Sequence, residues 1–482
     1  MGPMRLPHRF LWLAATILVV GTGLGALLAR AYPARLPVNR LSIGLAMVPG
    51  GVSRDELKGL RVLLAACVED DNHIPVTELE KLDEGALPTT RLRLGARRVG
   101  ERLLLEGSID HGEGLEEPFR IGPGEVRQVY RGLLERMGLR TAGVDRMLPR
   151  RPEATWVVVR ALSYVPAQPL PPLQEACQKA LQEEPDCALL WGARALVNHV
   201  ALSNGTAQEA SDLKRCDQDF RRALSLAPRT PLLVYLYAFF KSETGDVSEA
   251  LDLTFEAAPH RPYSLYILAA QAYAARQAGL LEGARRSVAR QEQLVGALRW
   301  FGNSVENTWL YTGELQRFED ALGTGGPADS EPYLDFYRGY IRLLRGRALE
   351  AAPYFERCAR HPGAPGDFSR LGNVYHLHLR GETGAALEAL RAMDASRLPL
   401  ATADGELTFK IAEAYALLGA PTEAFESAQR ALRQGFACLR WYEESPLMLP
   451  LQARPEWKEL RAALQEQQTH FQAKYPSERF GG

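Results

Sequence analysis

Apolar positions recur along this chain in three rhythms, and each predicts a different kind of element. Phe10 to Leu28 (FLWLAATILVVGTGLGALL) is a continuous uncharged run. At about 1.5 Å per residue such a run crosses a bilayer core of about 30 Å, which predicts an N-terminal transmembrane helix. From residue 41 to residue 137 the rhythm is mixed. Leu41 to Val48 reads as a buried strand ending at Pro49-Gly50-Gly51. Ser53 is placed to cap a helix that carries Asp55 and Glu56 in its first turn and Leu57, Leu60, Leu63 and Leu64 along one face. Arg91–Arg98 and Arg102–Ile109 flank Gly100 as a hairpin, and Pro118–Ile121 reads as a further, edge-like strand. Val126, Val129, Leu133, Leu134 and Met137 then make an amphipathic helix. The order β-α-β-β-β-α predicts a small α/β domain over 38–148.

Beyond residue 150 the period is helical throughout, and it repeats. Cys216, Ala250 and Ala284 stand 34 residues apart, twice in succession. Phe220, Ala223 and Pro228 follow Cys216 at intervals of four, seven and twelve, and Ala257 and Pro262 follow Ala250 at seven and twelve. Small residues let paired helices approach closely, and proline stops the second helix of a pair. Phe368-x-x-Leu371-Gly372-x-x-Tyr375 repeats a first-helix pattern, and Ile411, Ala412, Tyr415, Gly419, Ala424 and Ala431 fit a last unit. This period and these positions resemble the tetratricopeptide repeat. The resemblance implies a mainly α chain, with a right-handed solenoid of about eight helix pairs over 150–470, capped by Pro455–Gln468.

A second resemblance lies upstream. Thr90 to Asp110 (TRLRLGARRVGERLLLEGSID), with Phe119 and the 125–138 helix, resembles the TolB amino-terminal-like domain, and Pro152–Ala161 resembles the helix that joins that domain to a repeat array. Here the first strand ends Val48-Pro49-Gly50, where the family shows Pro-Phe. In CadC-type bacterial regulators, and in some kinases and cyclases, such a domain sits between a membrane anchor and tetratricopeptide repeats. The resemblance implies a sensor or scaffold architecture without the winged-helix, kinase or cyclase part.

The expected plan is a cytoplasmic N-tail (1–9), an anchor (10–28), a tether (29–37), the α/β domain, the solenoid and a flexible tail (471–482). Arg5 and Arg9 before the apolar run suit a cytoplasmic start. Arg30, Arg35 and Arg40 follow it, so charge alone leaves orientation open. The reading favours a bulk that is extracytoplasmic (periplasmic), with a cytoplasmic bulk as the alternative. Ala29-Arg30-Ala31 offers a second alternative, a signal peptide cleaved after residue 31. Gly21 and Gly25 form a G-x-x-x-G pair that would let two anchors dimerise.

Composition narrows the chemistry. Fifty-seven basic residues against fifty-eight acidic ones give net charge −1, which argues against a nucleic-acid partner. The six cysteines include no C-x-x-C. They read as small buried hydrophobes, with a Cys177–Cys187 pair as the alternative in an oxidising compartment. There is no H-E-x-x-H and no phosphate-binding glycine loop. Ser108-Ile-Asp110-His111 lies on a hairpin and lacks a nucleophile elbow, while Glu69, Asp70 and Asp71 read as a solvated loop. No catalytic, cofactor or metal site is expected.

What remains is surface. The first helices of the units are rich in aromatics, more than the repeat pattern requires, and Tyr235, Phe239, Phe336 and Tyr340 are the candidates to line a partner groove on the concave face. The expected function is a membrane-anchored, non-catalytic scaffold or sensor that binds a protein or peptide. Two alternatives are a sensory subunit whose kinase, cyclase or transcription-factor output is a separate chain, and an enzyme with an unrecognised site in the α/β domain.

Overall fold

The computed structural model describes residues 40–79, 90–112, 114–163, 170–203, 210–295, 303–323, 331–361, 366–398 and 404–481. The N-terminal part is a five-stranded sheet ordered β2-β1-β3-β4-β5, built from β1 (Leu41–Leu45), β2 (Val76–Leu79), β3 (Thr90–Val99), β4 (Arg102–Asp110) and β5 (Glu116–Gly124). β1 pairs in parallel with β2 and β3, and the remaining strands run antiparallel. The β3–β4 turn passes through Gly100 at φ +63, a conformation that glycine adopts without a Cβ clash. One strand was not expected. β2 is four residues long and finds its partner across a whole helix, so no local hairpin signal announces it.

Helix α1 (Arg54–Asn72) starts with a capping box, in which Ser53 and Glu56 each accept from the other's backbone amide. Helix α2 (Val126–Arg136) lies beside it on the same sheet face, and the Tyr130 hydroxyl donates to the Leu60 carbonyl at 2.6 Å. The opposite face is polar, with Arg93–Glu116 and Arg97–Glu106 ion pairs.

After α3 (Ala142–Met147) the described chain forms eight helix pairs. They are α4 (Pro152–Leu162) with α5 (Leu170–Glu183), α6 (Ala188–Ser203) with α7 (Ala210–Leu226), α8 (Pro231–Glu243) with α9 (Val247–Ala257), and α10 (Leu265–Gln277) with α11 (Leu281–Val295). Then come α12 (Asn303–Tyr311) with α13 (Leu315–Leu322), α14 (Pro332–Leu344) with α15 (Ala348–Ala359), α16 (Asp367–Leu379) with α17 (Thr383–Arg397), and α18 (Gly405–Leu417) with α19 (Pro421–Arg433). Cys216, Ala250 and Ala284 are all fully buried, as a close-approach role requires. Gly339 and Gly372 play the same part, since a Cβ there would press on Phe355 and on Cys358. This is a helical-hairpin solenoid of the tetratricopeptide type, joined to a mixed five-stranded sheet.

Several expectations need correction. Single-pass membrane placement, with the bulk of the chain on one side, is not supported: among the described residues no helix is long and apolar enough to cross a membrane. The run 10–28, with Gly21 and Gly25, lies outside the described residues. Of the two readings of the cysteines, the unpaired one holds for Cys177 and Cys187, which are free thiols, and the alternative pair does not form. Residues 471–481, expected as a flexible tail, are docked. After α20 (Leu439–Glu444), helix α21 runs from Glu456 to Lys474, and Phe471, Tyr475 and Phe480 are buried against the middle of the solenoid. Tyr475 donates to the Ser248 carbonyl at 2.9 Å and Lys474 pairs with Asp252 at 2.9 Å.

Glu69 and Asp70 are not a solvated loop either. They sit on α1 and fasten the N-terminal domain to the solenoid, because Glu69 accepts from Ser264 at 2.6 Å and Asp70 meets both Arg146 (2.9 Å) and Arg261 (3.3 Å). One continuous apolar core runs from Leu41 through Trp156 to Leu233.

Candidate functional site

The first helices of the pairs lie side by side and form a lane, and the lane has an open part and a closed part. In the open part, on α8, Tyr235 and Phe239 are half-buried. Their rings lie 4.6 Å apart. Tyr235 leans on Tyr266 at 5.4 Å, and Phe239 stacks on Tyr273 at 4.2 Å with 11° between the planes. Such aromatic contacts fix the rings in these half-buried positions.

Two of the four predicted groove residues are elsewhere. Phe336 and Tyr340 on α14 are fully buried, so neither offers a free surface, contrary to expectation. Phe336 stacks among Tyr340, Phe355, Phe368 and Tyr375. Tyr340 is covered by α18, the first helix of the last pair. The cover arrives about seventy residues later in the chain, at a distance that a local amphipathic pattern does not encode.

Helix α18 closes the lane with its charged residues pointing inward. Glu406 receives Arg276 at 2.9 Å, Asn307 Nδ2 at 2.5 Å and the Tyr311 hydroxyl at 2.9 Å. Tyr333 donates to Asn307 at 3.1 Å and so fixes the amide. One turn on, Lys410 Nζ donates to the Tyr340 hydroxyl at 2.7 Å and to Glu413 at 3.0 Å, while Ser445 donates to Glu413 at 2.5 Å. The ammonium also lies 4.2 Å from the centre of the Tyr340 ring, 5.3 Å from that of Tyr311 and 5.5 Å from that of Trp441. Lys410 and Glu413 are completely buried.

Burial and charge oppose each other here. Burial pushes the Lys410 ammonium below its ordinary range, against the pull of Glu413. Burial also works to lower Arg276, yet Glu406 holds its pKa above the usual value. At the helix start, Asp404 accepts from the Glu406 amide at 2.9 Å. Loss of hydration first, then the neighbouring Glu406 and Glu243 carboxylates, raise its pKa to about 7. Taking each such ion out of water costs several kcal/mol, and only a fully hydrogen-bonded arrangement offsets it. The charges stand at i, i+4 and i+7 (Glu406, Lys410, Glu413) on a helix buried along almost its whole length. That spacing was visible in the sequence and is the signal that could have found this cluster.

A second, open hollow of about 500 Å³ lies between α5, α6 and α7, lined by Gln174, Gln178, Lys179, Arg194, Asn198 and Arg215 among others. Arg194 is committed to Asp219 at 2.6 Å. Among the described residues no group of three or more His, Cys, Asp and Glu side chains is placed to hold a metal ion.

No protein-family model matches this chain, and no curated protein matches it. Solved structures with some likeness include the human IFIT1 dimer with PPP-AAAA, 13% identical over 64% of this chain and 82% of that one, with a TM-score of 0.40. The APC/C hetero-tetramer Cut9-Hcn1 is 11% identical over 73% and 81%, at 0.35. The P58(IPK) TPR domain is 13% identical over 64% and 95%, at 0.16. At these scores the likeness carries no argument about function, and the fold stands on the chain's own helix pairing.

Proposed function

We propose that this chain is a non-catalytic interaction scaffold that holds a protein or peptide partner along the open part of the first-helix lane. One observation carries the reading: Tyr235 and Phe239 are fixed by ring contacts yet remain half-buried at the edge of that lane. Rigid aromatics of this kind are what protein interfaces use as anchors. The near-zero net charge favours recognition by shape and apolar contact over the phosphate contacts that nucleic acid demands. The clustered ionisable groups of α18 are sealed from solvent and used up in mutual pairing, which supports a structural part for them over catalysis.

Site-specific photocrosslinking tests this. A photoreactive phenylalanine analogue at Tyr235 is expected to capture a discrete protein adduct in the host cell, while the same group at the 93% exposed Leu349 on α15 does not. Identical adducts from both positions, or none from Tyr235, would overturn the proposal.

A further inference from the structure

The closed part of the lane carries more information than the open part, because something already sits in it. Helix α18 inserts Glu406, Lys410 and Glu413 from one face, and they meet Arg276 of α10, Asn307 and Tyr311 of α12 and Tyr340 of α14 through side-chain hydrogen bonds. The receiving surface is polar at its tips: the guanidinium of Arg276, the amide of Asn307 and the hydroxyls of Tyr311 and Tyr340. These polar tips stand inside the same apolar core as Leu407, Phe409 and Ile411 of α18, so what singles out an occupant there is its pattern of charge. Ion pairs are also a costly way to hold two helices together permanently, since apolar residues of the same volume often do as well. Their best-attested use is to fix register and to refuse wrong partners. The lane is continuous, too, for Phe239 stacks on Tyr273, whose ring lies 5.1 Å from the Arg276 guanidinium.

We infer that the closed part of the lane is a helix-binding groove, that α18 is its resident occupant, and that it fits a partner helix bearing a carboxylate, an ammonium four residues on and a carboxylate three residues beyond that on one face. The Glu406 site reads the first carboxylate, the ring-lined Tyr340 site reads the ammonium, and the Tyr340 hydroxyl reads the second carboxylate. This rests on the scaffold reading and extends it from the open part of the lane to the closed part. A tethered occupant competes at high effective concentration, so the partner gains access in proportion to the fraction of chains in which α18 is released.

The test uses the full chain and a fluorescein-labelled, helix-stapled peptide of residues 404–418, with a charge-swapped control in which Glu406→Lys and Lys410→Glu are combined. Weakening the resident helix by Glu406→Gln with Glu413→Gln is expected to tighten peptide binding by about tenfold or more, as anisotropy reads it. Adding Asn307→Ala on the lane side is expected to abolish that gain, and the charge-swapped peptide is expected not to bind. Equal binding of both peptides, or no binding by a weakened chain that still folds, overturns the inference. If the weakened chain does not fold, hydrogen exchange on the unmodified chain decides. The 405–417 amides are expected to exchange through an opening that leaves 303–311 and 332–344 protected, and exchange of all three only together overturns the inference. A Tyr235 crosslink without peptide binding removes this inference and leaves the scaffold standing, whereas absence of both removes both.

Discussion

Arg276 and Glu406 stand 130 residues apart in the chain and meet at 2.9 Å, with side chains 0% and 5% exposed. Each offsets the other's charge at that contact. Removing one leaves an ion in a dry site. Arg276→Met is therefore expected to cost about 3–5 kcal/mol in urea unfolding, and the Arg276→Met, Glu406→Leu pair to recover most of it. Two single variants that each cost under about 1 kcal/mol would show the pair to be weaker than its burial implies.

Asp404 gives the fold a pH dependence of known sign. Its pKa rises from 3.8 unfolded to about 7 folded, so between those values the native state holds a proton that the unfolded chain has lost. Stability from this group is complete below the unfolded value and disappears as pH climbs through the folded one. Asp404→Asn keeps an acceptor for the Glu406 amide and does not titrate. The slope of unfolding free energy against pH from 4 to 7 is expected to become less negative in the variant. A pKa difference of about one between the two states corresponds to about 1.4 kcal/mol, well within calorimetric reach. Parallel slopes for the two proteins would exclude Asp404 as the source.

The four aromatic candidates should separate into two classes. Phe336→Ala opens a hole in a fully enclosed ring cluster and is expected to cost about 3–5 kcal/mol. Phe239→Ala, at a half-buried position, is expected to cost about 1 kcal/mol and to abolish the Tyr235 crosslink. Chemical denaturation of both proteins, read beside the crosslinking yield, distinguishes a packing residue from a contact residue.

Gly59 marks where the two parts of the molecule touch. A Cβ added there would run into the Val159 carbonyl oxygen of α4, and backbone does not yield as a side-chain tip does. Gly59→Ala is expected to destabilise by about 1–3 kcal/mol and to raise proteolysis near residues 148–152. An unchanged midpoint and cleavage pattern would show that the helices can part at no cost.

The local part of this architecture was legible. The 34-residue spacing found residues that are all fully buried, and the hairpin about Gly100 fell where the charged and apolar residues placed it. What escaped was set by distant contacts. Glu69 and Asp70 resemble solvent-facing acids until Ser264 and Arg261 arrive from almost two hundred residues away. Phe336 and Tyr340 look like groove residues on their own helix and become interior only because α18 covers them. The tail at 471–481 reads as a polar end, yet its rings find Phe255 and Gly283 on α9 and α11.

The docking of α18 and of Tyr475 also alters how the molecule must come together. A linear array gains its stability from neighbour to neighbour, can begin anywhere, and frays at its ends. Here the Arg276–Glu406 contact closes a loop of over a hundred residues, and Tyr475 reaches back to Ser248. Contacts so far apart in sequence raise contact order and delay the final step of assembly. Once α18 has opened, the rest of the stretch from the third pair to residue 481 should then melt as one cooperative block, and trimming its last turns would loosen pairs two hundred residues upstream.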